Sequence, residues 1–196
     1  MINLNDNAFD AKEGTAVFNN GVAGVVNDVT LKVERKKPED KETAPDFKLT
    51  FTDANGGTCN TSFWYIKEAT SYATIEEQIQ KQGKVLKHIL HAIYGKDFQL
   101  PSFQNATEML NGCMKLAHEG LPNAGKFRVF ANYGTTSSVK QYIQPRSWVP
   151  FLETMSTPLE STVLKPGTLD AMAKVEKDTF VAAGSVASSD VANGDW

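Results

Sequence analysis

The chain has 196 residues, a net charge of −3 and a hydrophobic fraction of 41%, values that are ordinary for one globular domain with tails. No apolar run reaches the length of about 20 residues that a membrane-spanning helix needs, and the N-terminus lacks the basic and apolar regions of a secretory signal. Two cysteines, Cys59 and Cys113, stand outside any C-x-x-C pattern and favour reduced thiols. We therefore expect a cytoplasmic protein.

Three β-strands are predicted in the first third of the chain. Residues 17–36 are β-rich, with apolar and charged side chains alternating at the period of a half-buried strand. Residues 46–53 alternate in the same way, and Asp53-Ala-Asn-Gly-Gly then supplies a tight turn before a returning strand over residues 58–67. Gly21 and Gly24 indicate either a bulge or a loop that enters the first strand.

Two helices follow these strands. Thr74 and Glu77 have the spacing of a capping box, and a helical apolar stripe runs from Ile75 to a C-cap at Gly95. A second helix is predicted to begin at Asn105 and to end at Gly120-Leu-Pro.

The last two predicted strands are residues 126–133 and 141–151. Pro145 and Pro150 mark the second of them as an edge strand or an interrupted one. The predicted domain is residues 17–153, preceded by a flexible N-terminal arm at residues 1–16. Beyond it we expect a linker over residues 154–181, in which residues 169–180 could form a short helix, and a disordered polar and acidic tail over residues 182–196.

The predicted fold class is mainly β with α. Five strands with helices between strands 3 and 4 match the OB-fold, a five-stranded Greek-key barrel, although other small α+β domains share this order. Residues 166–196 contain five acids and two lysines, which leaves residues 1–165 near neutral. Near neutrality is a mark against strong nucleic-acid binding, unless the basic residues cluster on one face.

Aromatic and basic side chains alternate on the predicted strands, a pattern that suits base stacking beside phosphate contacts. Four phenylalanines, Phe47, Phe51, Phe127 and Phe151, are predicted to be core. For Trp64, Tyr133, Tyr142 and Trp148 the choice between core and binding is open. The candidate nucleic-acid contacts are Lys32, Arg35, Lys48, Trp64, Arg128, Phe130, Tyr133, Lys140, Tyr142, Arg146 and Trp148.

Motifs of catalysis and of phosphate binding are missing from the sequence. It has no Walker motif, no G-x-G-x-x-G and no G-x-S-x-G. His88 and His91 are three residues apart on the first helix, but no carboxylate completes a metal site, so structural or surface histidines are the favoured interpretation. We expect a protein that is not an enzyme and has no cofactor or bound metal.

Three stretches resemble the replicative single-stranded DNA-binding proteins of phages. They are the pair Leu31-Lys-Val-Glu-Arg and Phe47-Lys-Leu-Thr-Phe-Thr, the helix Gln78–Tyr94 and the tip Gly194-Asp-Trp. The resemblance implies an OB-fold with a tail that competes with DNA or recruits a polymerase or helicase, here through Asp190, Asp195 and Trp196. The tail departs from the family because its acidic residues are sparse.

The leading hypothesis is a sequence-independent single-stranded DNA-binding protein of phage DNA replication or recombination, acting in the host cytoplasm. A virion structural or assembly protein with a β-barrel core is the alternative from a different class. A small enzyme of nucleic-acid metabolism is a third hypothesis with less support. Whether the protein forms a homo-oligomer is open.

Overall fold

The computed structural model describes residues 16–134 and 142–173. Six antiparallel strands form one sheet in the order β3-β2-β1-β4-β5, and β6 also pairs with β4. Two helices stand between β3 and β4, which confirms the predicted class of mainly β with α. The elements are β1 Gly24–Arg35, β2 Phe47–Thr52, β3 Thr58–Phe63, α1 Ile75–Tyr94, α2 Ala106–Ala124, β4 Phe127–Tyr133, β5 Ile143–Pro145 and β6 Leu152–Thr154.

Strand β1 is long enough to serve two neighbours. Its first half, from Gly24 to Val29, pairs with β4, and its second half, from Thr30 to Arg35, pairs with β2. The register shifts between Val26 and Val29, where Asp28 adopts a φ of 58°. This irregularity bends β1 and lets a single strand join both halves of the sheet.

The core lies between the inner face of the sheet and the two helices. Alternation holds along β2, where Phe47, Leu49 and Phe51 are buried and the intervening side chains are partly exposed. Phe127 and Phe151 are also buried, so all four phenylalanines predicted as core are confirmed.

Both predicted helix starts are confirmed at the level of the cap. The Thr74 hydroxyl accepts from the Glu77 N–H at 3.2 Å, and the Glu77 carboxylate accepts from the Thr74 N–H at 2.8 Å. The Asn105 side chain accepts from the Glu108 N–H at 2.9 Å.

The predicted end of the second helix at Gly120 is wrong, because α2 continues to Ala124. A Cβ at Gly120 would come within 2.5 Å of Ile93 and 2.6 Å of the Tyr94 ring. Gly120 therefore serves the close approach of α2 to α1 and does not terminate the helix. Pro122 lies exposed in the last turn, and Gly125 follows the helix with a φ of 72°.

Of the two alternatives for residues 141–151, the structure has the interrupted strand, because β5 ends at Pro145 and a second short strand, β6, begins after Pro150 at Leu152. Strand β5 pairs with the C-terminal half of β4 and β6 pairs with its N-terminal half. Strand β4 is thereby paired with β1 along one edge and with both short strands along the other.

Residues 155–173, here called the C-terminal segment, pack against the domain instead of acting as a linker. Leu164 is buried, and the Tyr133 N–H donates to the Ala171 carbonyl at 3.1 Å. Residues 169–173 are not helical. The rest of the predicted helix, the arm at residues 1–15 and the tail over residues 182–196 lie outside the described residues. Neither α1 nor α2 has the apolar length that a membrane crossing requires.

His88 on α1 joins the helix layer to the sheet. Its Nε2 accepts from the N–H groups of Phe151 and Leu152, both at 3.0 Å, and its ring lies 5.0 Å from that of Phe151. Burial lowers the pKa of His88 to about 4, with a smaller lowering by His91 and an opposing contribution from Glu153. Because Nε2 is already engaged as an acceptor, this histidine has a structural role.

We expect the His88 contribution to stability to be complete above pH 6.5 and to be lost as the pH falls towards 4. Protonation would replace the lone pair that accepts two backbone N–H groups, so the folded state disfavours the charged form, with an upper limit of about 3 kcal/mol. Urea unfolding at a series of pH values measures it. His88→Leu should unfold more easily at neutral pH and show a flatter pH profile. Equal slopes in both proteins would contradict the assignment.

Candidate nucleic-acid interface

A groove with a volume of about 750 Å³ lies between β3, α1 and β5. We call it the main groove. The end of β3 and the residues that follow it form one wall, β5 and its flanking residues form the other, and polar residues of α1 form an end. The lining consists of residues 60–68, Gln78, Lys81, Gln82, Val85, Tyr142, residues 144–147 and Phe151.

Trp64 and Tyr142 each present a ring at this groove, one from each wall. Trp64 continues the outward side of β3 after Ser62, and it is 45% exposed. Tyr142 is 53% exposed and precedes β5. Its ring lies over Gly134, where an added Cβ would come within 3.2 Å of it.

Helix α1 and β2 hold the segment that carries Trp64. The Gln82 amide donates to the Trp64 carbonyl and the Gln78 amide donates to the Glu68 carbonyl, both at 3.0 Å. The Tyr65 N–H donates to the Asp46 carboxylate at 2.8 Å. These bonds fix the backbone at Trp64 and in the residues that follow it, which lowers the entropic cost of ordering this segment when a ligand binds.

The main groove is rich in uncharged polar groups and poor in free charge. Among the residues that the structure describes, Lys67 and Lys81 are its exposed cations, and Glu68 is a lining acid of opposite charge. Asn60, Ser62, Gln78, Gln82 and Gln144 add amide and hydroxyl groups. The arrangement can stack planar rings and offer hydrogen bonds, but its own side chains supply few phosphate contacts.

The predicted phosphate contact at Arg146 needs correction, because this guanidinium is only 4% exposed. Its Nε and Nη2 donate to the Asp170 carboxylate at 2.9 and 2.7 Å, and two backbone carbonyls, of Pro150 and Lys165, accept from Nη1 and Nη2. The guanidinium also lies 3.7 Å from the centre of the Phe130 ring. Arg146 therefore holds the C-terminal segment to β5, with four of its five N–H donors engaged inside the fold.

The prediction for Arg128 needs the same correction. Arg128 is 5% exposed, and its Nη1 lies 2.8 Å from the Glu153 carboxylate. The Thr162 hydroxyl donates to the same carboxylate at 2.7 Å. This buried pair ties β4 to β6 and to the C-terminal segment.

Phe130 and Tyr133 are buried and are not available as stacking platforms. Phe130 is fully buried beneath Arg146, and the Tyr133 hydroxyl donates to the Gly21 carbonyl at 3.0 Å. All seven residues of β4 are buried, so this strand has no solvent face. The three candidate contacts on this strand, Arg128, Phe130 and Tyr133, therefore do not lie on the protein surface.

The remaining candidates are scattered. Lys32 is exposed on the outer face of β1 and pairs with Glu34 at 2.9 Å, and Lys48 lies opposite the groove residue Ser62. Trp148 is half-buried, 5.7 Å from the Arg146 guanidinium. Arg35 lies outside the main groove. Lys140, Asp190, Asp195 and Trp196 lie outside the described residues.

The contribution of α1 to the groove was not predicted, because the apolar stripe of this helix indicated the core. Its polar stripe of Gln78, Lys81 and Gln82 lines the groove. These three residues have the i, i+3, i+4 spacing of one helical face, so the sequence alone could have indicated a polar surface there. Lys67, just after the aromatic strand, could likewise have been predicted as a basic residue of the groove.

Cys59 and Cys113 are both buried free thiols, as expected. Burial raises the pKa of the Cys113 thiol to about 11, and burial together with Asp53 raises the pKa of Cys59 further. Neither thiol is a reactive nucleophile at neutral pH. Among the described residues no group of three or more potential metal ligands comes together.

Comparison of the chain with protein-family models, with curated proteins and with solved structures found no match.

Proposed function

We propose that this protein binds single-stranded DNA without sequence preference, in DNA replication or recombination, and that it is not an enzyme. The observation that carries the proposal is the pair of exposed rings, Trp64 and Tyr142, on the two walls of one groove. Such rings bind bases by stacking, which is tolerant of sequence because every base has a π-face. Lys67 and Lys81 then contact the phosphates that flank the stacked bases.

We further propose that the open sheet is a form of the OB-fold, a five-stranded barrel that is itself partly open. Three features support this. The strand order is β3-β2-β1-β4-β5, the bent β1 pairs on both sides, and both helices stand between β3 and β4. The two edge strands, β3 and β5, lie close together on either side of the main groove. A DNA strand bound there would lie at the opening of the barrel, between β3 and β5.

The uncharged polar lining supports a role in contacting bases. The Gln144 amide can meet many different base edges, because an amide both donates and accepts, whereas the Gln78 amide already donates to the Glu68 and Ala73 carbonyls. Recruitment of a replication polymerase or helicase by Asp190, Asp195 and Trp196 stays part of the proposal.

The test uses the full chain and labelled oligo-dT, followed by fluorescence anisotropy and by tryptophan emission. We expect binding at low salt, quenching of tryptophan emission, and much weaker binding of a duplex of equal length. Affinity should fall as salt rises. The absence of oligo-dT binding at low salt would contradict the proposal and favour the virion assembly alternative.

A further inference from the structure

A second groove, of about 570 Å³, lies between α2 and the adjoining ends of β1 and β2. We call it the second groove. Three of its lining residues are basic side chains: Arg35 comes from β1, and Lys115 and His118 come from α2. No carboxylate from residues 16–134 or 142–173 lines it. The lining consists of Val33, Arg35, Phe47, Asn111, Gly112, Met114, Lys115 and His118.

The Arg35 guanidinium is held in place by an aromatic ring and not by an acid. Its Cζ lies 5.6 Å from the centre of the Phe47 ring, and within the described part of the chain no carboxylate lies within 4.0 Å of it. Lys115 has one acidic neighbour, Glu119 at 3.9 Å, and both side chains are more than half exposed. Exposed pairs of this kind contribute little, so Lys115 is available to another anion.

The two grooves are neighbours. Tyr65 lines the main groove, and its hydroxyl donates to the Asn111 side chain at 2.8 Å. Asn111 in turn lines the second groove. A DNA strand that leaves the main groove past Tyr65 would therefore pass next to the basic residues of the second groove.

We propose that the second groove binds the phosphates of the same DNA strand whose bases occupy the main groove. This inference rests on the proposed function. The described lining of the main groove has exposed rings, two exposed lysines and Glu68, whereas that of the second groove has Arg35 and Lys115, no carboxylate and only buried or half-buried apolar groups. Barrels of this class cover roughly 4–16 nucleotides, so the strand extends beyond the two exposed rings. The negative charge of the phosphates complements Arg35 and Lys115, and the His118 ring adds a hydrogen-bonding group.

The experiment measures oligo-dT affinity against salt concentration for the double variant Arg35→Gln/Lys115→Gln. The slope of log affinity against log salt should become shallower by about 1.4, that is about 0.7 for each lost phosphate contact. The matched control is Lys87→Gln/Lys96→Gln, which removes two exposed lysines that line neither groove and should keep the wild-type slope. Arg35→Lys/Lys115→Arg keeps both charges and should also keep it.

The outcomes separate this inference from the proposed function. Normal oligo-dT binding with an unchanged salt slope in Arg35→Gln/Lys115→Gln would overturn phosphate binding by the second groove. It would leave base binding by the main groove unaffected. Wild-type protein that binds no oligo-dT would overturn both. A shallower slope in the lysine control as well would also overturn the inference, because the effect would then be one of net charge. Equal melting temperatures among the variants exclude a folding defect.

Discussion

Trp64→Ala and Tyr142→Ala are each expected to weaken oligo-dT binding by roughly 1–3 kcal/mol, about 5-fold to 150-fold, because each removes one stacking platform. Both rings are about half exposed, so neither substitution opens a core cavity, and the melting temperature should stay nearly constant. The double variant should lose most of the base-dependent affinity.

Tyr72→Ala is the matched control for these variants. Tyr72 is 90% exposed on the loop before α1 and does not line the main groove, so its loss should leave the affinity unchanged. Anisotropy titrations and thermal melts of the wild-type protein, the two single variants, the double variant and Tyr72→Ala provide the comparison. An equal loss of affinity in Tyr72→Ala, or a large fall in melting temperature with unchanged affinity in Trp64→Ala, would remove the rings from the interface.

Arg146→Ala is expected to destabilise the fold by about 3–5 kcal/mol, because it leaves the fully buried Asp170 carboxylate without its partner. For a domain of this size the loss corresponds to a melting temperature lower by roughly 6–20 °C. The C-terminal segment should loosen first, since Arg146 also donates to the Lys165 carbonyl in it. Thermal unfolding and limited proteolysis measure the two effects.

The control for Arg146→Ala is the double variant Arg146→Ala/Asp170→Ala. Removing both charges should recover part of the stability, because no unpaired carboxylate then stays buried. The slope of oligo-dT affinity against salt should be unaltered in Arg146→Ala at a temperature where it is folded. Normal stability with a shallower salt slope would show that Arg146 contacts phosphate after all.

The buried ion pairs of Arg128 and Arg146 explain why these two arginines do not mark a binding surface. Arg128 and Arg146 resemble phosphate ligands in sequence, since each stands among aromatic residues. Their partners, Glu153 and Asp170, are 25 and 24 residues distant in the chain. Burial of a charge is tolerated only with such a partner, and pairing at this distance is decided by the tertiary fold.

Local features of the sequence determined the elements of this protein. The caps at Thr74 and Asn105 and the alternation along β2 depend on residues within one or two turns or on one strand, and the structure has them where they were predicted. The sequence left the exposure of Trp64 open, and the structure places its ring on the outer side of β3 after Ser62.

Only the tertiary structure decided that β4 is buried on both faces and which residues meet in the grooves. The sequence does not reveal that residues 155–173 fold back, so it cannot separate buried Arg146 from exposed Tyr142. Likewise, α1 joins β3 and β5 at the main groove through contacts between residues far apart in the chain. Period and propensity are local properties, whereas burial depends on what the rest of the chain lays over a surface.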